Sequence, residues 1–165
     1  MDDYDLAMPE VTLRDVTDAD VSTFYEHLRD PLAVQMAAFV AKSAPDFAAH
    51  AAHWAQNRSD PKRVARSIVV DGHVSGNVVA FMHQGRRQVA YWVGREHWGR
   101  GVATSALSLL LQQVTERPIY AQVAKDNVGS IRVLQKCGFS RIDVARGFAP
   151  ARGEEIEEFV FELRV

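Results

Sequence analysis

Polar and apolar positions change their period several times along the chain, and each change marks an element. Between Glu10 and Val16 they alternate, with Val11 and Leu13 on one face, which predicts a strand after a loose lead-in at Met1–Pro9. From Val21 the period lengthens. Val21, Phe24, Tyr25 and Leu28 fall at i, i+3, i+4 and i+7, the apolar stripe of an amphipathic helix. Thr17, with an acid three residues on at Asp20, is the start signal of that helix. Asp30-Pro31 breaks it, Leu32–Val40 reads as a second short apolar helix or a loop-helix, and Lys42–Pro45 breaks the chain again. Asp46–Asn57 is a third helix, with Phe47, His50, Ala51 and Trp54 on one face.

Beyond Asp60-Pro61 the pattern turns to strands. Val64–Val70, Val74–His83 and Gln88–Val93 follow one another, separated by Asp71-Gly72, a hairpin turn signal, and by Gln84–Arg87. Val102–Val114 is apolar on nearly every side and predicts a helix buried on more than one face. Pro118–Ala124 is the next strand, so the chain crosses over through that helix and the two strands should run parallel. Asn127–Cys137 is a helix closed by Gly138 as a left-handed cap. Phe139–Arg146 and Glu155–Leu163 are the last strands, with Gly147, Pro150 and Gly153 in the loop between them. This order predicts one α/β domain over residues 1–165, with a mixed sheet of about seven strands and helices on both faces.

Composition narrows the class. The 165 residues are 47% apolar and 24% charged, enough for one full core and short of two. A net charge of −2 gives no field suited to nucleic acid or an anionic membrane surface. Cys137 is the single cysteine, so neither an intrachain disulfide nor a cysteine zinc cluster is expected. The start, MDDYDLAMPE, is acidic and no uncharged run reaches membrane-spanning length, so a cytoplasmic protein is expected. His50 and His53 share a helix face, but two histidines without a third ligand argue against a metal site.

The chemistry concentrates in Tyr91–Ala106, where a strand enters a loop holding Gly94, Gly99 and Gly101 and the loop opens a helix. That arrangement offers free N–H groups and the positive end of a helix dipole to a phosphate. Two familiar phosphate loops do not fit. Arg100 and Gly101 stand where a mononucleotide loop needs Lys and Ser or Thr, and Thr104 replaces the third glycine of a dinucleotide fingerprint.

The remaining pattern, Trp98-Gly99-Arg100-Gly101-Val102-Ala103, resembles the acetyl-CoA loop of the GNAT superfamily of N-acetyltransferases, in the branch similar to the ribosomal-protein N-terminal acetyltransferases. A second stretch, Asn127-Val128-Gly129-Ser130 followed by Leu134 to Phe139, is similar to the same family's later motif. The element order also matches the family over the whole chain. The resemblance implies a single domain whose sheet splays between its fourth and fifth strands, at Val93 and at Gln122–Ala124. It implies acetyl-CoA as co-substrate and no metal. Pantetheine would use the backbone groups of Val93, and the pyrophosphate would sit on the amides of Gly99, Arg100, Gly101, Val102, Ala103 and Thr104, beside Trp98. Arg100 either approaches a phosphate or faces solvent. Asn127 and Ser130 would meet the pantetheine and thioester, and Asn127 equally suits a helix cap.

For catalysis, many members of the family carry a tyrosine acid at the position of Leu134, which cannot act so; Ser130 is the expected donor to the leaving sulfur. Gln88 stands where a carboxylate base often lies, leaving Glu96 or His83 as base, or none. The acceptor would be a primary amine, either a small molecule or a protein N-terminus, walled by Pro31–Pro45 with Met36 and Phe39, and by Phe148–Glu154 with Glu154 and Glu155. A homodimer is compatible with the family. The rival readings are a non-catalytic CoA-binding sensor or interaction module on the same fold, and an unrelated α/β nucleotide-binding protein.

Overall fold

In the computed structural model, which describes residues 8–165, seven strands and five α-helices alternate much as the sequence pattern requires. All but the last two residues of the lead-in lie outside the described residues. The strands are β1 (Val11–Asp15), β2 (Val64–Val70), β3 (His73–His83), β4 (Arg86–Val93), β5 (Ile119–Ala124), β6 (Ser140–Ala149) and β7 (Glu154–Leu163). The helices are α1 (Asp18–Leu28), α2 (Pro31–Ala37), α3 (Phe47–Ser59), α4 (Val102–Gln113) and α5 (Val128–Lys136).

The strands form one sheet in the order β1-β2-β3-β4-β5-β7-β6. β1 to β4 are antiparallel neighbours, and so are β5, β7 and β6. The two halves meet at β4 and β5, which run parallel and share a single register pair, Gln88 with Tyr120. Past that pair each strand keeps its other neighbour, β4 with β3 out to Val93 and β5 with β7 out to Ala124. The sheet therefore opens into a V toward the Val93 end of β4, where the resemblance expects the splay.

Alternation decides what each face buries. Val89 and Val93 of β4 and Ile119, Ala121 and Val123 of β5 turn to the face covered by α4, whose Val102, Ala106, Leu107 and Leu110 are almost fully buried there. On the opposite face α1 and α3 bury Val21, Phe24 and Trp54. A small third cluster, Ala38, Ala124 and Ala149, ties the end of α2 to the open ends of β5 and β6.

Several boundaries differ from the sequence expectation by one to three residues, α2 ending at Ala37 and not Val40 among them, and three have a local reason. Pro31 begins α2 instead of only breaking the chain, because proline fits the first helical position and Asp30 caps the Leu32 N–H. Gln84 and Gly85 both take positive φ, a two-residue turn that lets β4 start at Arg86. β6 runs on to Ala149, past the expected end at Arg146, with Gly147 and Phe148 paired to Ile156 and Glu155. It is an edge strand exposed over most of its length, so its sequence carries no hydrophobic alternation to mark the end.

Candidate active site

The glycine loop leaves β4 through one 3-10 turn, Arg95–His97, and reaches α4 through Gly99 and Gly101, at φ +73° and +76°. A side chain at Gly101 would be strained in this left-handed conformation. Gly101 is the N-cap of α4 and has no side chain to offer. The other four helices are capped by Thr17, Asp30, Asp46 and Asn127. The first intrahelical bond of α4 is from the Ser105 N–H to the Gly101 carbonyl, at 3.0 Å. The N–H groups of Val102, Ala103 and Thr104 precede it, and they end a helix whose dipole favours an anion.

Two loop side chains are committed within the protein. The Trp98 indole Nε1–H donates to the Val93 carbonyl at 2.9 Å, folding the loop back on the strand it leaves. Arg100 is exposed; its guanidinium lies 3.3 Å from His97 Nδ1 and 4.0 Å from the Asp71 carboxylate. Val93 is paired with Gly76, and the next N–H, of Gly94, bonds to the Ser75 carbonyl at 2.8 Å. In that register Val93 turns its own N–H and C=O away from β3, into the V. The sequence reading gives both groups to a ligand. The structure leaves the N–H facing the gap and commits the carbonyl to Trp98.

Asn127 and Ser130 lie on the other arm, where β5 gives way to α5. The Asn127 side-chain oxygen accepts from the Ser130 N–H at 3.3 Å, so the asparagine caps the helix and keeps its NH₂ for other partners. Ser130 Oγ lies 2.6 Å from the Tyr91 hydroxyl, which also reaches the Ser130 carbonyl at 3.1 Å. Burial pushes the Tyr91 phenol far above its ordinary range, the Ser130 bond opposing and Cys137 adding to the rise. Sequence reasoning missed Tyr91. The available signal was strand alternation, which puts Tyr91 with Val89 and Val93 on the face of the sheet where α5 follows. Leu134 is buried in the core and carries no acid, as expected.

On the opposite face, α1 and the residues after β4 enclose a cavity of about 340 Å³ lined by His27, Asp30, Trp92, Gly94 and Glu96 among others. Gly94 is required by close approach: a Cβ there would lie 2.8 Å from His27 Nε2 and 3.1 Å from a Glu96 carboxylate oxygen. Burial pushes the His27 imidazole below its usual value; Glu96 and Asp30 pull against this and His97 adds to it. Glu96 is thus brought to the cavity wall, beside a histidine that the sequence reading overlooked. His83 is not: it pairs with Arg86 at the far end of β4, seven residues from Val93, about 20 Å or more along the strand. Gln88 is buried at the one point where β4 and β5 still meet.

The two segments named as acceptor walls do meet. Arg152, in the turn after β6, donates to both oxygens of Asp126 at 2.6 and 2.8 Å and to the Gln35 carbonyl at 3.0 Å. The Ala151 N–H donates to the Ala38 carbonyl at 3.2 Å, which fastens the β6–β7 turn to the end of α2. Glu154 and Glu155 are exposed, and Glu155 lies 3.4 Å from Arg146.

A seven-stranded mixed sheet split between two parallel strands, with an uncapped helix start at the split, is the architecture that the resemblance implies. The acetyltransferase (GNAT) domain family model matches residues 10–140, and the chain belongs to that family. An uncharacterized N-acetyltransferase p20 from Bacillus licheniformis is 31% identical over 83 residues, 48% of this chain; the matched part spans about half of that protein's length, 47%. A phosphinothricin acetyltransferase from Sinorhizobium meliloti, solved with acetyl-CoA, superposes with a TM-score of 0.81 at 19% identity, over 94% of this chain and 88% of that one. A ribosomal-protein-alanine N-acetyltransferase from Brucella melitensis superposes at 0.79 and 18% identity, over 93% and 99%. At such identities the superpositions describe the fold.

Proposed function

We propose that the protein transfers an acetyl group from acetyl-CoA to a primary amine by direct attack in a ternary complex. The observation that carries this reading is the V beyond Gln88 and Tyr120, with the uncapped start of α4 beside it. The amides of Gly99 to Thr104 hold the pyrophosphate, and the Val93 N–H is the donor facing the thioester carbonyl. Asn127, through its NH₂, contacts the pantetheine, and Ser130 donates to the departing sulfur. Trp98, held to the Val93 carbonyl, shapes the loop beside the ligand; Arg100 offers a charge near the phosphates.

The acceptor enters the cavity on the α1 side. An α-amino group has an ordinary pKa of about 8 and must shed a proton before it attacks. Glu96 and the His27 imidazole stand at that cavity and supply a place for the proton. The carboxylates Glu26, Asp30 and Glu96 suit a cationic acceptor, either a small amine or a protein N-terminus.

The test is release of CoA thiol from acetyl-CoA with a panel of small amines and N-terminal peptides, for wild type and Ser130→Ala. The expected result is turnover with at least one acceptor, reduced about 100-fold in kcat in the variant. Binding of acetyl-CoA with no turnover on any acceptor would instead establish the sensor reading.

A further inference from the structure

The bond between Tyr91 and Ser130 is the one side-chain link between β4 and α5 among the described residues, and it crosses the opening of the sheet. We propose that Tyr91 is the positioning residue of the leaving-group step, fixing which way the Ser130 hydroxyl directs its hydrogen bond. The inference rests on the acetyl-transfer reading above.

The two hydroxyls have two hydrogens and three oxygens within reach: their own and the Ser130 carbonyl. If the serine donates to the phenol, the phenol donates to the carbonyl and neither faces the cleft. If the phenol donates to Ser130 Oγ, the serine hydrogen is free. A phenol hydrogen given along the shorter, 2.6 Å contact to Oγ makes the second arrangement, which the proposal takes; one given to the carbonyl at 3.1 Å makes the first. Ser130 Oγ has no other hydrogen-bond partner among the described residues, so its hydrogen is then directed away from Tyr91. Helical serines otherwise tend to turn back onto the carbonyl four residues earlier. Tyr91 occupies the oxygen from the other side and is buried enough to stay protonated throughout the working range.

The chemical step balances without any further reactant. The amine nitrogen bonds to the thioester carbon, and that bond's formation is followed by cleavage of the C–S bond. The electron pair of C–S goes to sulfur, where the Ser130 O–H donates to it. The proton lost by the amine reaches the sulfur through water. Tyr91 and Ser130 end the cycle as neutral hydroxyls; neither is the net acid. A donor already polarised by a second hydroxyl is a stronger donor than a lone serine.

The test is a double-mutant cycle on the active enzyme, reading kcat, KM for acetyl-CoA and Tm. Tyr91→Phe keeps the ring and removes the oxygen. It is expected to lower kcat about tenfold, the worth of one hydrogen bond, with KM and Tm little changed. Added to Ser130→Ala it should cost nothing further, whereas added to Ser130→Thr, which keeps the hydroxyl, it should again lower kcat about tenfold. Losses from Tyr91→Phe and Ser130→Ala that multiply overturn the proposal. So does a Tyr91→Phe variant with normal kcat, including one whose Tm falls, since Tyr91 is then only a brace. Those outcomes leave acetyl transfer standing. A wild-type protein without turnover removes both readings.

Discussion

A single buried carboxylate, Asp20, joins three parts of the fold. It accepts from both terminal nitrogens of Arg14 on β1 at 2.6 and 2.9 Å, from Ser67 on β2 at 2.6 Å, and from the Thr17 N–H at 2.9 Å in the capping box of α1. Burial alone would raise its pKa; the bonds from Arg14, Ser67 and Thr17 outweigh burial and hold it well below the ordinary 3.8. A depressed carboxylate stabilises the fold above its unfolded value and loses that contribution as pH falls through the folded one. Stability should therefore decline as the pH drops below about 4, by an amount that Asp20→Asn largely removes from the pH dependence. Asp20→Ala, read as a denaturant midpoint at pH 7, should cost about 3 kcal/mol, since it strands Arg14 and Ser67. The spacing from Thr17 to Asp20 was legible in sequence. The partners on β1 and β2 were not, because strand register sets them. The same holds at the candidate site: Ser130 and Asn127 were readable as a motif, but the contacts they make, to Tyr91 and in the cap bond, come from packing.

At the scale of the element, α4 carries the most specific expectation. It is the helix with no side-chain cap, and Gly101 makes that possible. Gly101→Ala forces a Cβ into a left-handed conformation and should destabilise by about 1–2 kcal/mol. It should also weaken acetyl-CoA binding, measured by calorimetry, because the amides of the helix start shift with it. A loss of stability with unchanged affinity would detach the loop from the cofactor. Gly94→Ala acts on the other side of β4, where its Cβ meets His27 and Glu96. Acceptor KM should rise while acetyl-CoA affinity holds. The strand-loop-helix order was legible because glycines and a change of period mark each boundary. The unmarked boundary was the end of β6, exposed at the sheet edge.

For the molecule as a whole, the decisive feature is how the two half-sheets are held apart and together. They touch at Gln88 and Tyr120; at the open end Arg152 bonds to Asp126 after β5 and to the end of α2. Arg152→Ala should lower stability by about 1–2 kcal/mol, given the exposure of Asp126, and raise acceptor KM more than it changes acetyl-CoA affinity. The pattern of the chain announced parallel strands joined by a helix, and hence a mixed sheet. It did not announce that β7 inserts between β5 and β6, because β7 pairs with both through backbone bonds that no side-chain period records.

The central claim is that the V between β4 and β5 delivers an acetyl group to an amine. Mass spectrometry on the wild-type protein with acetyl-CoA and the acceptor panel tests it most directly. The account predicts an N-acetylated amine formed in equal amount with free CoA over many turnovers. Acetyl-CoA that binds at the site but leaves every amine unmodified would contradict it.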